Sequence, residues 1–449
     1  MNTRYTHRLR GCSPAPLANY LKALGILRLV SVQADPAARG WWQDEHFCLL
    51  TTLDRAELEA FFLHSYQPTP LLSPWNKGSG FLQAKDPALD PLEHSTADRF
   101  AAFREGIRAA RILLDEIAGV DAVVRAVKDR TKATNAFQSS EQRQLLRNSR
   151  VYIEHVAALR TKIANEDTTD KDRAALQHEL VDVETIASAP DSPDYRPTKQ
   201  EVAHIKASAG YKRLLAAADR RFKALKDTKL IPRCRKSWRG LHANWIDAAV
   251  VLAEDRSPIW PSLLGTGGND GRLDFTNNFM QRLAELFDVR STQGGPHPNT
   301  SKQLANALWA QPANALSLTA IGQYQPAAAG GANSTTGTEG SSLVNPWDFV
   351  LMMEGALLFA CRATRRLDPA SNARASAPFA VRSHAAGHAS PGAEKAQRGE
   401  QWMPLWARPA TLGDVKALMG EARVQLGRET AFRPIDVARA ISRLGVARG

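Results

Sequence analysis

The chain has only four cysteines, Cys12, Cys48, Cys234 and Cys361, spread over 449 residues with no CxxC pair. That spacing offers neither a zinc finger nor a disulfide framework, and it fits a reducing cytoplasm. Long apolar runs are missing too. The longest mostly apolar stretch, Phe349 to Cys361, covers 13 residues and contains Glu354, whereas a membrane-spanning helix needs roughly 20. The start, MNTRYTHRLRGCSPAP, is basic but has no continuous apolar core with a signal-type cleavage site, so no membrane partner is expected. Catalytic signatures are equally scarce. There is no Gly-x-Ser-x-Gly elbow and no Gly-Lys-Ser/Thr after a glycine loop. His384 and His388 stand four apart in SHAAGHASPG with no carboxylate beside them, a poor metal pair. Neither a catalytic centre, a metal nor a cofactor is expected.

What is present is apolar mass and positive charge. Hydrophobic residues make up 43% of the chain and charged ones 23%, enough to fill sizeable cores in about three average domains. The formal net charge is +12, which favours a polyanionic partner without choosing one. Its distribution is more informative. Residues 1–95 are balanced and 96–195 carry −2, whereas 196–240 hold 14 basic and 3 acidic side chains, a net +11. Residues 241–361 fall to −5 and 362–449 return to +8.

The composition suggests five regions. Residues 1–95 read as an α/β start. Leu17, Tyr20, Leu21, Leu24 and Leu27 predict a helix; Phe47, Leu49 and Leu50 a strand; and Asp54 with Glu57 a capping box. The proline-rich PTPLLSPWNKGSG (68–80) excludes a regular element. Residues 96–240 read as helical and end in the basic segment, with turns at 167–172 and 187–197. Residues 241–325 are rich in Gly and Asn, with a helix from near Phe275 and a helical stretch to about Leu318. Residues 326–342 are a low-complexity linker. Residues 343–449 form a C-terminal region with an apolar helix from Pro346 to Arg366, a loop over 369–400, and helices near 412–427 and 434–444. The fold class expected is α+β, a mixed α/β body with a large helical insertion and C-terminal helices.

Three motifs carry candidate contacts. In the basic run 211–240, the cations Lys212, Arg213, Arg220, Lys223 and Lys226 spread over much of a helix circumference. Pro232 then ends the helix before Arg233, Arg235, Lys236 and Arg239. Each phosphate such cations neutralise releases counterions, and Trp238 supplies a stacking surface for a base. The bland alternative is a solvated helix face. The second motif, GTGGNDGRLDFTNNFMQRL (265–283), offers Gly267, Gly268, Asn269, Arg272, Asn277, Asn278 and Gln281. Glycines let the backbone approach a ligand, and the following helix N-terminus favours an anion. A turn closed by its own Asn and Asp side chains explains the composition equally well, and Asp274 suits a helix cap better than a cation site with Asp270. The third, PWNKGSGF (74–81), presents Asn76, Lys77 and Ser79 on an open backbone suited to phosphate or a base edge, or simply a Trp-anchored loop.

These blocks, with LRGCSPAPLANYLKALGILRLV, DPAARGWW, NPWDFVLMMEGALLFA, HAAGHASPGAEKAQRGEQWMPLW and FRPIDVARAISRLGVARG, are together similar to the large subunit of type I-G (formerly I-U) CRISPR effector complexes, a Cascade subunit of the Csx-seventeen or Cas-eight-like kind. The likeness covers both ends and the middle of the chain, not 96–230 or the linker. The resemblance implies a cytoplasmic, non-catalytic antiviral-defence subunit that holds the guide RNA 5′ end. It would recognise the protospacer-adjacent motif in target double-stranded DNA, contact backbone and guide-processing subunits, and transiently recruit a helicase-nuclease. Guide pairing would read most of the target and the protein only the short motif and backbone shape. Members of that family run on beyond the matching ARG, so the resemblance implies a C-terminal helical bundle after Gly449, or a split subunit. Two other classes remain open on the residues alone: a metal- or nucleotide-dependent nuclease or phosphotransferase using the 265–274 loop, and a scaffold whose basic block binds acidic proteins.

Overall fold

A computed structural model describes residues 3–76, 78–82, 86–117, 147–188, 200, 203–204, 207–261, 263–264, 275–313, 315–321, 324–325, 341–364, 374–376, 378–382, 399–420, 425–426, 429–430 and 438–439. The chain has an α+β fold, helix-rich with small antiparallel sheets. In chain order the first elements are β1 (Tyr5–Leu9), α1 (Leu17–Gln33), β2 (Arg39–Gln43), β3 (His46–Thr51), α2 (Arg55–Ala60), α3 (Leu89–His94) and α4 (Ala101–Glu116). Then follow α5 (Arg150–Ala164), α6 (Asp170–Ala187), α7 (Ala209–Leu225), α8 (Ile231–Ser237), α9 (Leu241–Ala249), β4 (Val251–Leu252), β5 (Pro258–Ile259), α10 (Phe275–Leu286) and α11 (Thr300–Trp309). The C-terminal part holds β6 (Ser317–Ala320), β7 (Ser341–Val344), α12 (Pro346–Ala356), β8 (Arg362–Thr364), β9 (Arg374–Ser376), β10 (Ala380–Arg382), β11 (Gly399–Gln401), β12 (Ala410–Thr411), α13 (Leu412–Gly420), β13 (Gln425–Leu426) and β14 (Glu429–Thr430). Two compact units divide the chain. One comprises residues 1–73, 87–107 and 238–449, and the other 74–86 and 108–237.

The first unit is built on an antiparallel sheet of order β1-β3-β2-β12. Trp42 on β2 stacks on Tyr20 of α1 at 5.2 Å, and its strand partner Phe47 meets it edge-on. The WMPLW segment fastens to the same sheet: Trp406 Nε1 donates to the Gly40 carbonyl at 2.7 Å, and Tyr20 Oη to that of Pro404 at 2.9 Å. Helix α1 is buried on nearly all sides, as expected for a helix apolar around its circumference. Its neighbour is α12, and the two backbones touch at glycines. A Cβ on Gly25 would collide with the Leu351 carbonyl, and one on Gly355 with that of Leu21. Two buried cations flank this crossing, Lys22 paired with Asp348 at 2.7 Å and Arg28 with Glu354 at 2.5 Å.

NPWDF turns out to be a cap and a core anchor. The Asn345 side chain accepts from the Trp347 N–H at 3.0 Å to start α12, and Trp347, fully buried, sits among Phe62, Tyr66 and Phe287. The predicted capping box is present, with Asp54 Oδ1 accepting from Glu57 N–H and Glu57 Oε2 from Asp54 N–H.

Several boundaries differ from the sequence reading. Helix α11 stops at Trp309, with Ala310 in the left-handed region, and 317–320 is strand β6, so the helical stretch does not reach Leu318. Alternating Ser317-Leu318-Thr319 pairs with Leu343 and its neighbours as a ribbon, which makes 341–342 strand and not linker. Helix α12 ends at Ala356 and 362–364 is strand; the apolar run 357–361 is a turn, buried except at Ala360, that leads into the strand. Helix α13 ends at Gly420, and 425–426 pairs with 429–430 in place of the helix expected to 427. Short strands at 374–376, 380–382 and 399–401 interrupt the loop expected over 369–400. The 434–444 helix lies outside the described residues apart from 438–439.

The second unit packs α5, α6 and α7 through Val156, Leu159, Val183, Ile186, Tyr211, Leu214, Ala218 and Phe222, all buried. Each helix begins at a hydroxyl cap: Ser149, Thr169 and Ser208 accept from the N–H three residues on, at 3.2 Å in each case. Such caps satisfy donors that a helix start leaves without partners and contribute about 1 kcal/mol each.

Candidate nucleic-acid interface

Helix α7 sorts its residues by face. Tyr211, Leu214, Ala218, Phe222 and Leu225 are buried. At about 100° per residue, Lys212, Arg213, Arg220, Lys223 and Lys226 fall within an arc of about 140° on the other side. These five cations therefore share one side, not much of the circumference as expected, with exposed Asp219 inside the same arc and half-buried Arg221 outside it. Pro232 does not end the helix either. Residues 226–230 form a π-turn in which the Ile231 N–H reaches back five residues to the Lys226 carbonyl, and α8 then runs through Pro232 to Ser237. The wider turn removes the clash a proline ring makes with the carbonyl four residues before it. Lys229 in the π-turn and Arg233 and Lys236 on α8 are exposed as well.

Part of this charge is internally compensated. Arg213 is paired with buried Glu179, Arg233 with Glu116 at 2.8 Å, and Lys226 with Asp227 at 3.3 Å. Among the described residues, Lys212, Lys223, Lys229 and Lys236 have no acidic partner. They are exposed lysines spread over α7, the π-turn and α8, and such side chains gather phosphate oxygens without base preference.

The predicted contact residues divide. Lys236 and Arg239 are exposed and Arg235 is half-buried; the Arg239 guanidinium donates to the Trp238 carbonyl at 2.8 Å. Trp238 is 5% exposed, tilted against the His242 ring at 6.2 Å. Packing leaves it no open ring face for a base, contrary to the expectation. Ser79 is buried as well, its hydroxyl donating to the Asn76 carbonyl at 2.6 Å, so it is not placed to hold phosphate. Asn76 is half-buried, and its Oδ1 accepts from Gly78 N–H at 3.1 Å, closing an Asx turn. Helix α10 starts at Phe275 as predicted. Gln281 Nε2 donates to Asn277 Oδ1 at 2.7 Å; Asn277 is 9% exposed, while Asn278 and Gln281 are half-buried. Lys77, Gly267, Gly268, Asn269 and Arg272, with Asp270, Asp274, His384 and His388, lie outside the described residues. Among the described residues no group of three or more His, Cys, Asp or Glu is placed to hold a metal ion.

Sequence reasoning missed the polar cluster between α5, α6 and α7. Glu179, 2% exposed, takes Arg213 on one carboxylate oxygen; its other oxygen lies 3.3 Å from His155 Nε2. Burial lowers the pKa of His155; Glu179 opposes this and Arg213 and Arg220 reinforce it. The signal was an acid within the apolar series Leu176, Val183, Ile186, since a carboxylate on a buried helix face requires a partner cation.

No family model matches the sequence, and no curated protein matches it.

Proposed function

We propose that this chain is a non-catalytic nucleic-acid-binding subunit of an RNA-guided type I-G surveillance complex. In this reading it binds the guide RNA 5′ end and target duplex DNA, recognises the protospacer-adjacent motif, and helps recruit a helicase-nuclease in the cytoplasm. The observation that supports it is the cationic stripe of α7 and α8, with Lys212, Lys223, Lys229 and Lys236 exposed and without acidic partners. With 14 basic against 3 acidic side chains in 196–240, a large positive surplus is left after the ion pairs form, and such a surplus favours a phosphate backbone.

In this reading the stripe, with Arg235, holds phosphate backbone; Arg239 and the amides of Asn278 and Gln281, in the first unit, are separate candidates for contacts to phosphate and to base edges. The test is reconstitution of the guide-loaded complex with and without this chain, followed by binding to duplexes that carry or lack the motif. The proposal expects motif-dependent binding only when the chain is present, and a loss of affinity on charge reversal of Arg235, Lys236 and Arg239. Motif-dependent binding by a complex lacking the chain would refute it.

A further inference from the structure

The antiparallel sheet of the first unit has two faces of opposite character. Alternation along β2 buries Gly40 and Trp42 against α1 and leaves Arg39, Trp41 and Gln43 on the other side. On β1 the same alternation buries His7 and Leu9 and exposes Thr6 and Arg8. Strand pairing sets these outward residues in rows: Arg8, Cys48 and Trp41 in one, Thr6, Leu50 and Arg39 in the next. On strand spacing alone, Arg39 lies about 7 Å from Trp41 along β2, and Arg8 about 10 Å away across β3.

Trp41 is half-buried, and among the described residues no other ring and no cation stacks on it. Its indole N–H donates to Gln43 Oε1 at 3.2 Å, the next outward side chain of its own strand. Arg39 is exposed and, among the described residues, has no acidic partner. Arg8 lies 4.0 Å from Asp44 at the hairpin tip, with the two side chains 49% and 68% exposed. So open a pair holds weakly, and a phosphate can take the place of the carboxylate. An aromatic ring between cations on an open sheet suits a chain that alternates flat bases with phosphates. Duplex bases are already stacked on one another, and only an unpaired base offers its face.

We propose that this outer sheet face binds single-stranded nucleic acid, with Trp41 stacked on one base and Arg8 and Arg39 holding neighbouring phosphates. The site deepens the nucleic-acid reading above and rests on it, but it belongs to the first unit, whereas the lysines of α7 and α8 belong to the second. RNA and DNA strands present the same chemistry of base and phosphate.

The test is titration of labelled single-stranded RNA, single-stranded DNA and duplex DNA with the full chain at low salt, followed by fluorescence anisotropy, with an abasic strand of equal length as the control for stacking. The wild type should bind the natural single strands more tightly than the abasic one by about tenfold, within the range that one stacked base supplies. Trp41→Ala should remove most of that difference and Trp41→Phe keep most of it, while duplex binding stays unchanged in both. Reversal of the exposed pair, Arg8→Glu with Arg39→Glu, should weaken single-strand binding by about tenfold or more and flatten its salt dependence, with the circular dichroism of the wild type retained. Should Trp41→Ala unfold the sheet, the abasic comparison in the wild type and the arginine double variant still decide. Equal wild-type binding of natural and abasic strands, an unchanged double variant, or a Trp41→Ala loss as large on duplex or abasic strands would overturn the proposal. So would displacement of the strand by polyglutamate as effectively as by unlabelled strand. Those results with intact binding by the lysines of α7 and α8 would remove the sheet face alone; wild-type failure to bind any nucleic acid would remove the wider reading. The single strand, RNA or DNA, that loses more affinity in Trp41→Ala is the occupant.

Discussion

Arg28 of α1 and Glu354 of α12 meet at 2.5 Å inside the first unit, with the Glu354 side chain wholly buried. Tyr66 Oη and the Thr69 N–H donate to one carboxylate oxygen, both at 2.8 Å, and the Thr69 hydroxyl to the other at 2.7 Å. The acid that interrupts the longest apolar run is thus fully compensated. Breaking one side leaves an unpaired buried charge, so Arg28→Ala should cost about 3–5 kcal/mol. Denaturant unfolding should show it as a lower midpoint, whereas a change under 1 kcal/mol would mean that the network relaxes without loss.

The capping box before α2 has a smaller and more local effect. Asp54→Ala removes an acceptor for Glu57 N–H and should lower stability by about 1 kcal/mol, read from the same unfolding curves. Asp54→Asn should keep most of it.

Stability should also depend on one carboxylate between α1 and β2. Burial pushes the Asp35 pKa up, but hydrogen bonds from Thr52 N–H, the Thr51 hydroxyl and Ala37 N–H outweigh it, and the net shift is downward. A folded pKa below the unfolded one stabilises the fold above the unfolded value, and that contribution is lost as pH falls through the folded value. Urea midpoints measured between about pH 2 and 5 should fall less steeply with acidification in Asp35→Asn than in the wild type.

How far these features could be read beforehand depended on how local their causes are. Helix α1, the Asp54 box and the start of α10 follow from spacing and capping chemistry within a few residues. Strands β1 and β2 were not visible because Tyr5–Leu9 buries only His7 and Leu9, leaving Tyr5, Thr6 and Arg8 exposed, and β2 is held by Trp406, far along the chain. The positive sign of 196–240 was legible, but its orientation was not. One-sidedness appears only when residues are placed by angle around α7, and the passage through Pro232 needs a π-turn that no composition announces. Burial was the hardest to foresee. A Trp among arginines reads as a stacking platform until tertiary packing closes over it.

Trp238 therefore makes a discriminating prediction. Its packing against His242 means that Trp238→Ala should cost about 3–5 kcal/mol of stability. In conditions where the variant stays folded, its affinity for nucleic acid should be unchanged. Lost affinity at full stability would return the indole to the binding surface.

The most direct test of the central claim is the salt dependence of binding by the full chain to duplex DNA and to single-stranded RNA. Lys212, Lys223, Lys229 and Lys236 are all exposed, so changing the four to Glu should leave the helices intact by circular dichroism. A plot of log K against log salt should fall steeply for the wild type. In the fourfold variant it should flatten by about 0.9 on duplex, or about 0.7 on a single strand, for each phosphate contact removed. Binding at low salt should weaken by at least about tenfold, close to 1.4 kcal/mol. A variant with the wild-type slope and affinity would show that the cationic stripe of α7 and α8 does not hold nucleic acid.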